Sequence, residues 1–390
     1  MVTRNWSRGP RSMVKRTGIV ALIICASVAS GAARAQLPPD QMTSYTLGAP
    51  QPHWAFILDS VFVAPSVSKV HIVDLDSEKL LGQVNGGYYS NFEYSPDHRE
   101  MYTIDTFYSR AWHGTRSDAV SVFDASTLLY KSEIHIPPKR ILIVPKINTT
   151  GLTPDGRFLL IANLTPSTSV SVVDLKGRKF VGEIETGGCV QVLIAGNRKF
   201  ASMCPDGSLL TVLLDESGKV ASRKQSKPFF DPNTDPVFDQ PVVVGTTVYF
   251  DSYHGNLYPV DLSGETAQGE SEWPLTTKED RKANWRPGGW LTIAASEQGD
   301  QLYVLMHQGG EWTHKQPGKE VWVFDSARKT RVGRIPLKTE GYSIRVSRGP
   351  NPILESLALI QSQIESYTAP EGKYLGVFKD IGTSFLVSGP

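Results

Sequence analysis

An apolar strand that ends in aspartate, followed by a polar turn and a second strand, recurs six times along this 390-residue chain. Three of the copies are "KVHIVDLDSEKLLGQV", "AVSVFDASTLLYKSEI" and "SVSVVDLKGRKFVGEI". The strand-ending aspartates are Asp74, Asp124, Asp174, Asp215, Asp261 and Asp325. A seventh, degraded copy is "IESYTAPEGKYLGVF". Seven copies of about fifty residues each predict a repeat architecture.

A second strand pair, opened by a tight turn, precedes most copies, as in "YSPDHREMYTID" and "LTPDGRFLLIANL". Asp-Gly and Pro-Asp favour such turns because they tolerate or preset the required dihedral angles. Four short antiparallel strands per repeat are typical of a propeller blade, which must stack against neighbours to bury both faces. The sequence therefore predicts an all-β, seven-bladed β-propeller of four-stranded antiparallel blades. The segment "TTKEDRKANW" is the one predicted helical turn.

The N-terminus has the pattern of a secretory leader. Five basic residues precede the apolar run "GIVALIICASVA", and Ala33-Arg34-Ala35 has the small-x-small pattern of a signal-peptidase site. The apolar run is shorter than the roughly 20 residues that span a bilayer, which favours cleavage between Ala35 and Gln36 over a retained anchor. We therefore expect a signal peptide over residues 1–35, an N-terminal arm over 36–53 and the propeller over 54–390.

The charge of the predicted mature chain argues against nucleic acid as a partner. Removal of residues 1–35 takes six of the 40 basic residues and none of the 39 acidic ones. The remaining 34 basic against 39 acidic residues give a formal net charge of −5, which does not favour binding to phosphate backbones. No later stretch is apolar enough to cross a membrane, so we expect no membrane insertion after cleavage.

Two cysteines, Cys189 and Cys204, remain after Cys25 leaves with the leader. A metal pair, a reactive thiol couple and a structural disulfide are the alternatives. A zinc site needs two further ligands, and the chain has no Cys-x-x-Cys or His-x-x-x-His spacing. The two cysteines are fifteen residues apart on neighbouring predicted strands of an exported chain, which favours a structural disulfide across a hairpin.

No catalytic motif is evident in the sequence. The eight histidines are scattered singly, and neither a Gly-x-Ser-x-Gly elbow nor a phosphate-binding glycine loop is present. The acidic residues lie mostly at predicted turns, where aspartate accepts backbone hydrogen bonds. We therefore predict no catalytic residue and no metal site on this chain. The pattern favours a rigid scaffold whose chemistry lies elsewhere.

Several long stretches resemble one family in order and spacing. They are "GTRSDAVSVFDASTL", "IHIPPKRI", "LTPDGRFLLIANLTPSTSVSVVDL", "WRPGGW", "EWTHKQPGKEVWVFD" and the segment that holds the two cysteines. The chain resembles the heavy chain of quinoprotein amine dehydrogenases, the methylamine and aromatic amine dehydrogenases, from about Tyr45 to Val377. The resemblance implies a seven-bladed propeller in a periplasmic heterotetramer of two heavy and two light chains.

The same resemblance places the chemistry on the partner. In this family the light chain carries tryptophan tryptophylquinone, made from two of its own tryptophans, so no cofactor is expected on this chain. The complex converts a primary amine to an aldehyde and ammonia and passes electrons to a blue copper protein of the amicyanin or azurin kind. Trp285 and Trp290 in "NWRPGGW" are accordingly expected to pack around a turn and to stay unmodified.

One position of this chain is expected to reach the substrate. In the methylamine enzymes a phenylalanine that follows two glycines lines the channel to the quinone, and the matching "NGGYYSNF" places Tyr88 there. Tyrosine adds a hydroxyl to an otherwise apolar wall, so channel polarity and substrate size depart from the family pattern. The alternative is that Tyr88 is an ordinary aromatic residue at a blade edge.

Three questions stay open at the level of sequence. Some stretches resemble the aromatic branch and others the methylamine branch, so the substrate is not assigned. A stand-alone propeller hydrolase of the lactonase type and a non-catalytic binding propeller are the rival classes. The segment "RGPNPILESLALIQSQIESY" departs from the family before the last strand pair, which leaves the closure of the ring by the C-terminal strands undetermined.

Overall fold

The computed structural model describes residues 45–390, nearly all of which fold into β-strands and tight turns. The predicted signal peptide, its cleavage site at Ala35 and Gln36, and residues 36–44 of the predicted arm lie outside the described residues. The first strand begins at Trp54 and the last ends at Ser388. Among residues 45–390, no helix combines the length and apolar character needed to cross a bilayer.

The strands and the helix, in chain order, are β1 (Trp54–Asp59), β2 (Ser68–Asp74), β3 (Lys79–Gly86), β4 (Asn91–Tyr94), β5 (Glu100–Arg110), β6 (His113–Asp124), β7 (Tyr130–Ile136), β8 (Thr150–Leu152), β9 (Phe158–Asn163), β10 (Ser169–Asp174), β11 (Lys179–Glu185), β12 (Val190–Ile194), β13 (Lys199–Met203), β14 (Leu209–Leu214), β15 (Val220–Gln225), β16 (Val242–Val244), β17 (Thr247–Asp251), β18 (Asn256–Asp261), β19 (Gln268–Gly269), β20 (Trp273–Pro274), α1 (Lys278–Lys282), β21 (Trp285–Pro287), β22 (Ile293–Ala295), β23 (Gln301–Gln308), β24 (Gly318–Asp325), β25 (Thr330–Gly341), β26 (Ser343–Val346), β27 (Ile353–Ala358), β28 (Gln363–Thr368), β29 (Tyr374–Lys379) and β30 (Ser384–Ser388).

These strands form seven antiparallel sheets, which are the blades of a seven-bladed β-propeller, and the predicted fold class is confirmed. From the innermost strand outwards, blade 1 is β30-β1-β2-β3, blade 2 is β4-β5-β6-β7, blade 3 is β8-β9-β10-β11, blade 4 is β12-β13-β14-β15 and blade 7 is β26-β27-β28-β29. Blade 5 runs β16-β17-β18-β19 with β20 also paired to β18, and blade 6 runs β21-β23-β24-β25 with β22 also paired to β23.

Five of the six repeated aspartates end the third strand of their blade, Asp215 directly follows its strand, and each caps the turn that follows. Asp124 Oδ1, for example, accepts hydrogen bonds from the backbone N–H groups of Ser126 and Thr127 at 3.0 Å each. Asp174 accepts one from Gly177 in the same way. The degraded seventh copy forms β28 and β29 and has Thr368 at the end of its third strand. The aspartate is therefore a turn residue, as the sequence predicts.

Apolar side chains fill the space between every pair of adjacent blades. Seven separate clusters of buried residues lie one at each blade-to-blade contact, including the contact between blade 7 and blade 1. Because successive side chains of a strand point to opposite faces, Phe56 packs towards blade 2 and its neighbour Ile57 towards blade 7. Each blade thus buries both faces, which explains the long apolar runs in the sequence.

The C-terminal strand closes the ring by joining the first blade. β30 is its innermost strand and pairs antiparallel with β1, with Phe56 opposite Ser388 and Leu58 opposite Leu386. Beside this pairing, Asp59 Oδ1 accepts hydrogen bonds from the N–H and hydroxyl of Thr383, at 2.9 and 3.1 Å. The question that the sequence left open is answered here, since the N- and C-terminal strands of the ring share one sheet.

The short helix α1 lies where the sequence predicts a helical turn. Thr277 caps it, and the Asp280 side chain accepts a hydrogen bond from the Thr277 N–H in return. This reciprocal pair satisfies backbone donors that a short helix otherwise leaves unpaired. The helix belongs to the long connection between blades 5 and 6 and does not enter the ring.

The predicted disulfide is present between Cys189 and Cys204, with an S–S distance of 2.00 Å. Cys189 lies just before β12 and Cys204 just after β13, and these two strands pair directly. Both cysteines are buried in the cluster between blades 3 and 4. The bridge therefore links the two inner strands of blade 4 at one end of the blade.

Replacing both Cys189 and Cys204 by serine is expected to lower the free energy of unfolding of this chain by about 3 kcal/mol. The bridge closes a loop with a sequence separation of 15 residues, and a loop of that length restricts the unfolded chain by about this amount. Urea unfolding of the two proteins, followed by tryptophan fluorescence, measures the difference. Equal midpoints with equal slopes would contradict the prediction.

Candidate functional site

The predicted channel residue, Tyr88, lies in the turn that connects blade 1 to blade 2. In up-and-down blades, these connections emerge at the same end of the ring as the hairpins between the second and third strands of each blade. We call this end the top face. Tyr88 is half-buried there, and within residues 45–390 its hydroxyl has no hydrogen-bond partner. Its ring is therefore available to a molecule that approaches the top face.

The two glycines before Tyr88 are required by close backbone contacts. A Cβ on Gly87 would lie 2.5 Å from the carbonyl oxygen of Thr106, and one on Gly86 would lie 2.4 Å from the Ser90 hydroxyl. Both distances are shorter than real Cβ contacts allow. The "GG" of the sequence therefore lets the turn pack directly on β5, and this packing brings Tyr88 to the hairpin between β5 and β6.

Tyr88 begins a row of aromatic rings that crosses the top face. Its ring meets Tyr89 edge-to-face at 4.8 Å and Tyr108 at 6.1 Å, measured between ring centroids. The row continues through edge-to-face or tilted contacts at 5.1 to 6.1 Å that join Tyr89 to Phe62, Phe62 to Phe385, and Phe385 to Trp290. Partial burial in this row, with the nearby Tyr88, raises the pKa of Tyr89 above its usual value.

The row ends at Trp290, which links the loop of blade 6 to the segment before blade 3. Trp290 donates its indole N–H to the Pro145 carbonyl at 3.1 Å, and the Nζ atoms of Lys146 and Lys315 lie 5.2 and 5.5 Å from its ring centroid. Trp285 packs elsewhere, on the ring of Trp322 at 5.3 Å. The two tryptophans of "NWRPGGW" therefore have separate packing partners.

Beneath the Tyr88 turn lies a group of buried charged residues. Arg140 is only 2% exposed, and its Nη2 donates to the carbonyl oxygens of Tyr88 and Tyr89, at 2.5 and 3.0 Å. Its Nε donates to the Thr106 hydroxyl at 2.8 Å. Burial lowers the pKa of Arg140 to about 10, against the opposing effect of the Asp118 carboxylate, so the guanidinium stays protonated at neutral pH.

Two buried carboxylates complete this support. Asp105 accepts hydrogen bonds from the Gly87 N–H at 2.9 Å and the Ser90 hydroxyl at 2.5 Å. Asp118 accepts from Arg116 Nε and Nη2, at 2.9 and 2.7 Å, in a bidentate pair. Both acids are at most 1% exposed, and unpaired buried charges are costly. The turn is therefore held from below by a set of satisfied polar groups.

A cavity of about 330 Å³ lies at the axis of the ring, where the inner strands meet. Its walls are mostly apolar and include the acidic side chain of Glu93, whose Oε1 accepts a hydrogen bond from the Thr150 hydroxyl at 2.7 Å. Burial raises the pKa of Glu93 to about 7, and the Thr150 hydrogen bond opposes this rise. Within residues 45–390, no three metal-binding side chains come together in a group suited to a metal ion.

A larger concavity of about 500 Å³ lies on the top face between blades 5 and 6. Tyr253, Trp312 and His314 form its aromatic wall, with centroid distances of 5.9 and 5.5 Å from Tyr253 to the other two rings. Trp312 is 81% exposed, which is unusual for so large an apolar side chain. The arrangement is suited to a contact surface, because it has an exposed aromatic anchor beside an apolar hollow.

Exposed apolar side chains in the connections between strands are concentrated on the top face. The large ones that lie in top-face connections are Val63, Val67, Trp112, Ile143, Leu164, Trp312 and Ile360. On the opposite face, only Leu129 is of this kind among residues 54–390. The top face is therefore the more apolar of the two faces in its connections.

The sequence predicts a site role for Tyr88 but does not indicate the buried residues that hydrogen-bond its turn. Arg140 occurs in "IPPKR", and no local pattern there indicates a buried guanidinium. Asp118 and Asp105 lie in strands, unlike the turn aspartates, and an acidic residue inside an apolar strand is the one signal that could have identified them. Tyr108 lies where β5 and β6 extend past the blade, a length that the repeat pattern does not predict.

Two relatives match this chain in sequence over most of their length. The chain is 30% identical over 321 residues to the methylamine dehydrogenase heavy chain of Methylobacillus flagellatus, covering 82% of this chain and 80% of the relative. It is 30% identical over 317 residues to the heavy chain from Methylophilus methylotrophus, covering 81% and 78%. Among solved structures, a functionally unknown protein from Desulfotomaculum acetoxidans aligns with a TM-score of 0.62 at 12% identity, over 86% of this chain and 98% of that one, and shares the fold alone.

The fold and these relatives define the class: this is a propeller subunit of an amine-oxidising oxidoreductase. The chain belongs to the methylamine dehydrogenase heavy chain family, whose model matches residues 53–389. The family resemblance seen in the sequence is thereby confirmed. The stand-alone hydrolase and the binding propeller, which were the rival classes, have no comparable support.

Proposed function

We propose that this chain is the scaffold subunit of a periplasmic quinoprotein amine dehydrogenase, in which Tyr88 lines the channel that leads a primary amine to the light subunit. The observation that carries the proposal is the position of the "NGGYYSNF" turn on the top face of a chain that the family model matches from residue 53 to 389. The face that carries Tyr88 also carries the exposed apolar loops.

The catalytic groups of the proposed enzyme belong to the partner. Tryptophan tryptophylquinone on the light chain would supply the oxidising power that converts the amine to an aldehyde and ammonia. This chain's residues would exclude water and orient the amine, since Tyr88, Tyr89 and Tyr108 form a wall with apolar faces. Electrons would then pass to a blue copper protein of the amicyanin or azurin kind.

The proposed location is the periplasm. The leader pattern that ends at Ala35 and the predicted cleavage before Gln36 support export. The Cys189–Cys204 bridge is suited to an oxidising compartment, because disulfides persist there and are rare in the cytosol. The proposed assembly contains two heavy and two light chains.

The division of labour between the chains can be tested by expressing the heavy chain alone and together with its light chain. Alone, it is expected to be folded, rich in β-structure and colourless, and to reduce no dye with methylamine, tyramine or phenylethylamine. The complex is expected to absorb visible light and to reduce dye with a primary amine. Amine-dependent dye reduction by the lone heavy chain would contradict the proposal.

Trp112→Ala is expected to weaken association with the light chain by about 2 kcal/mol, or roughly 30-fold in Kd. Trp112 is 57% exposed on the hairpin that packs beside Tyr88, so a light chain that shares the channel would cover it. Leu129→Ala is the matched control, because Leu129 is 67% exposed on the opposite face. Calorimetric titration of light chain into each variant measures Kd. An unchanged Kd for Trp112→Ala, or equal losses in both variants, would contradict the proposed docking face.

Tyr88→Ala in the complex is expected to change the ratio of kcat/KM for methylamine to that for phenylethylamine by several-fold, up to about 200-fold. Loss of the ring removes one wall of the channel and leaves the clusters between the blades intact. Steady-state kinetics with both amines and the melting temperature are the measurements. Tyr130→Ala, which removes an exposed tyrosine from an outer strand, is the control. If the ratio is the same in both variants, Tyr88 is an ordinary blade-edge aromatic residue.

A further inference from the structure

Among residues 45–390, the guanidinium of Arg140 is hydrogen-bonded to neutral groups and to no carboxylate. A buried arginine usually pairs with a carboxylate, yet the Arg140 guanidinium donates to the carbonyls of Tyr88, Tyr89 and Ile141 and to the Thr106 hydroxyl. The nearest buried acid, Asp118, is held by a bidentate pair with Arg116. Direct neutralisation of Asp118 is therefore not what places the Arg140 guanidinium under the turn.

The turn needs an external support because its backbone is unfavourable by itself. Tyr89 has a φ of 43°, in the left-handed region that non-glycine residues rarely adopt. The preceding residue, Tyr88, is tied through its N–H to the Thr106 carbonyl at 2.8 Å. Arg140 holds the two carbonyls of the same turn from the other side. The peptide planes on both sides of Tyr89 are thereby fixed, and the direction of the Tyr88 side chain depends on them.

We infer that Arg140 is a positioning residue for amine selection, which acts by fixing the Tyr88–Tyr89 turn and so the orientation of the Tyr88 ring. This inference rests on the proposed channel role of Tyr88. The fork of the guanidinium is essential to it, because one planar group reaches two carbonyls and a hydroxyl at once. A lysine keeps the charge but presents a single ammonium, and it cannot reproduce this set of contacts.

Arg140 is placed to act on the reaction only through the Tyr88–Tyr89 turn. It is 2% exposed and lies under the turn, so it does not touch a molecule in the channel. Its effect on catalysis must therefore pass through Tyr88 and Tyr89. Two residues that act through one another give non-additive effects when both are changed, whereas independent residues give additive ones.

The test is a double-mutant cycle in the reconstituted heterotetramer with Arg140→Lys, Tyr88→Ala and the double variant. Arg140→Lys is expected to change the kcat/KM ratio of methylamine to phenylethylamine by at least about fivefold. In the Tyr88→Ala background the same change is expected to have little further effect. Arg345→Lys is the control, since Arg345 is a partly buried arginine paired with the buried Glu355 in blade 7. It is expected to leave the ratio unchanged.

A second measurement does not depend on activity. Hydrogen exchange of the peptide that covers residues 86–92 in the heavy chain alone should become faster in Arg140→Lys and stay the same in Arg345→Lys. Thr106→Val, which removes the hydroxyl that accepts from Arg140 Nε, is the milder variant and should change both readouts in the same direction. It provides the test if Arg140→Lys does not fold.

The outcomes separate this inference from the proposed function. An unchanged amine ratio in Arg140→Lys and Thr106→Val, or additive effects in the cycle, overturns the role of Arg140. Unchanged hydrogen exchange in both variants also overturns it. A wild-type complex that oxidises no amine overturns the proposed function instead, and the exchange measurement then still decides whether Arg140 fixes the turn.

Discussion

The burial of both faces of every blade is the constraint on which the rest of this structure depends. Each four-stranded sheet has apolar side chains on its two faces, so that Phe56 and Ile57, although adjacent in sequence, belong to different clusters. Two faces can both be covered only if each blade has a neighbour on either side, and seven blades achieve this by closing into a ring. The pairing of β30 with β1 completes that closure and removes the two open sheet faces that an unclosed array would leave.

The packing of the blades in the ring fixes the positions of the top-face turns. The turn that carries Tyr88 is short, and its position follows from the contact between blades 1 and 2. Beneath it, Arg140, Asp105 and Asp118 are buried and hydrogen-bonded, whereas charged side chains are usually exposed. Buried polar groups that are fully satisfied add specificity of geometry, because any shift of the turn would leave one of them unpaired.

The propeller fold of this chain is more widely shared than its family. A solved structure at 12% identity shares the fold, while the relatives at 30% identity are methylamine dehydrogenase heavy chains. Propellers support many unrelated functions, so the ring by itself does not identify the activity. The candidate site lies in top-face features outside the repeated blade pattern, such as the double glycine before Tyr88 and the extended hairpin between β5 and β6 that carries Tyr108.

The sequence by itself determined the number of blades, the role of the repeated aspartates, the disulfide and the position of the aromatic turn. These features are local: strand alternation, turn chemistry and cysteine spacing depend on residues close together in the chain. Only the tertiary structure decided how β30 closes the ring, because that pairing joins residues over three hundred positions apart, such as Phe56 and Ser388. It also decided the role of Arg140. Its contacts with Tyr88, 52 residues away, arise from the packing of separate segments in space, and no local pattern around Arg140 encodes them.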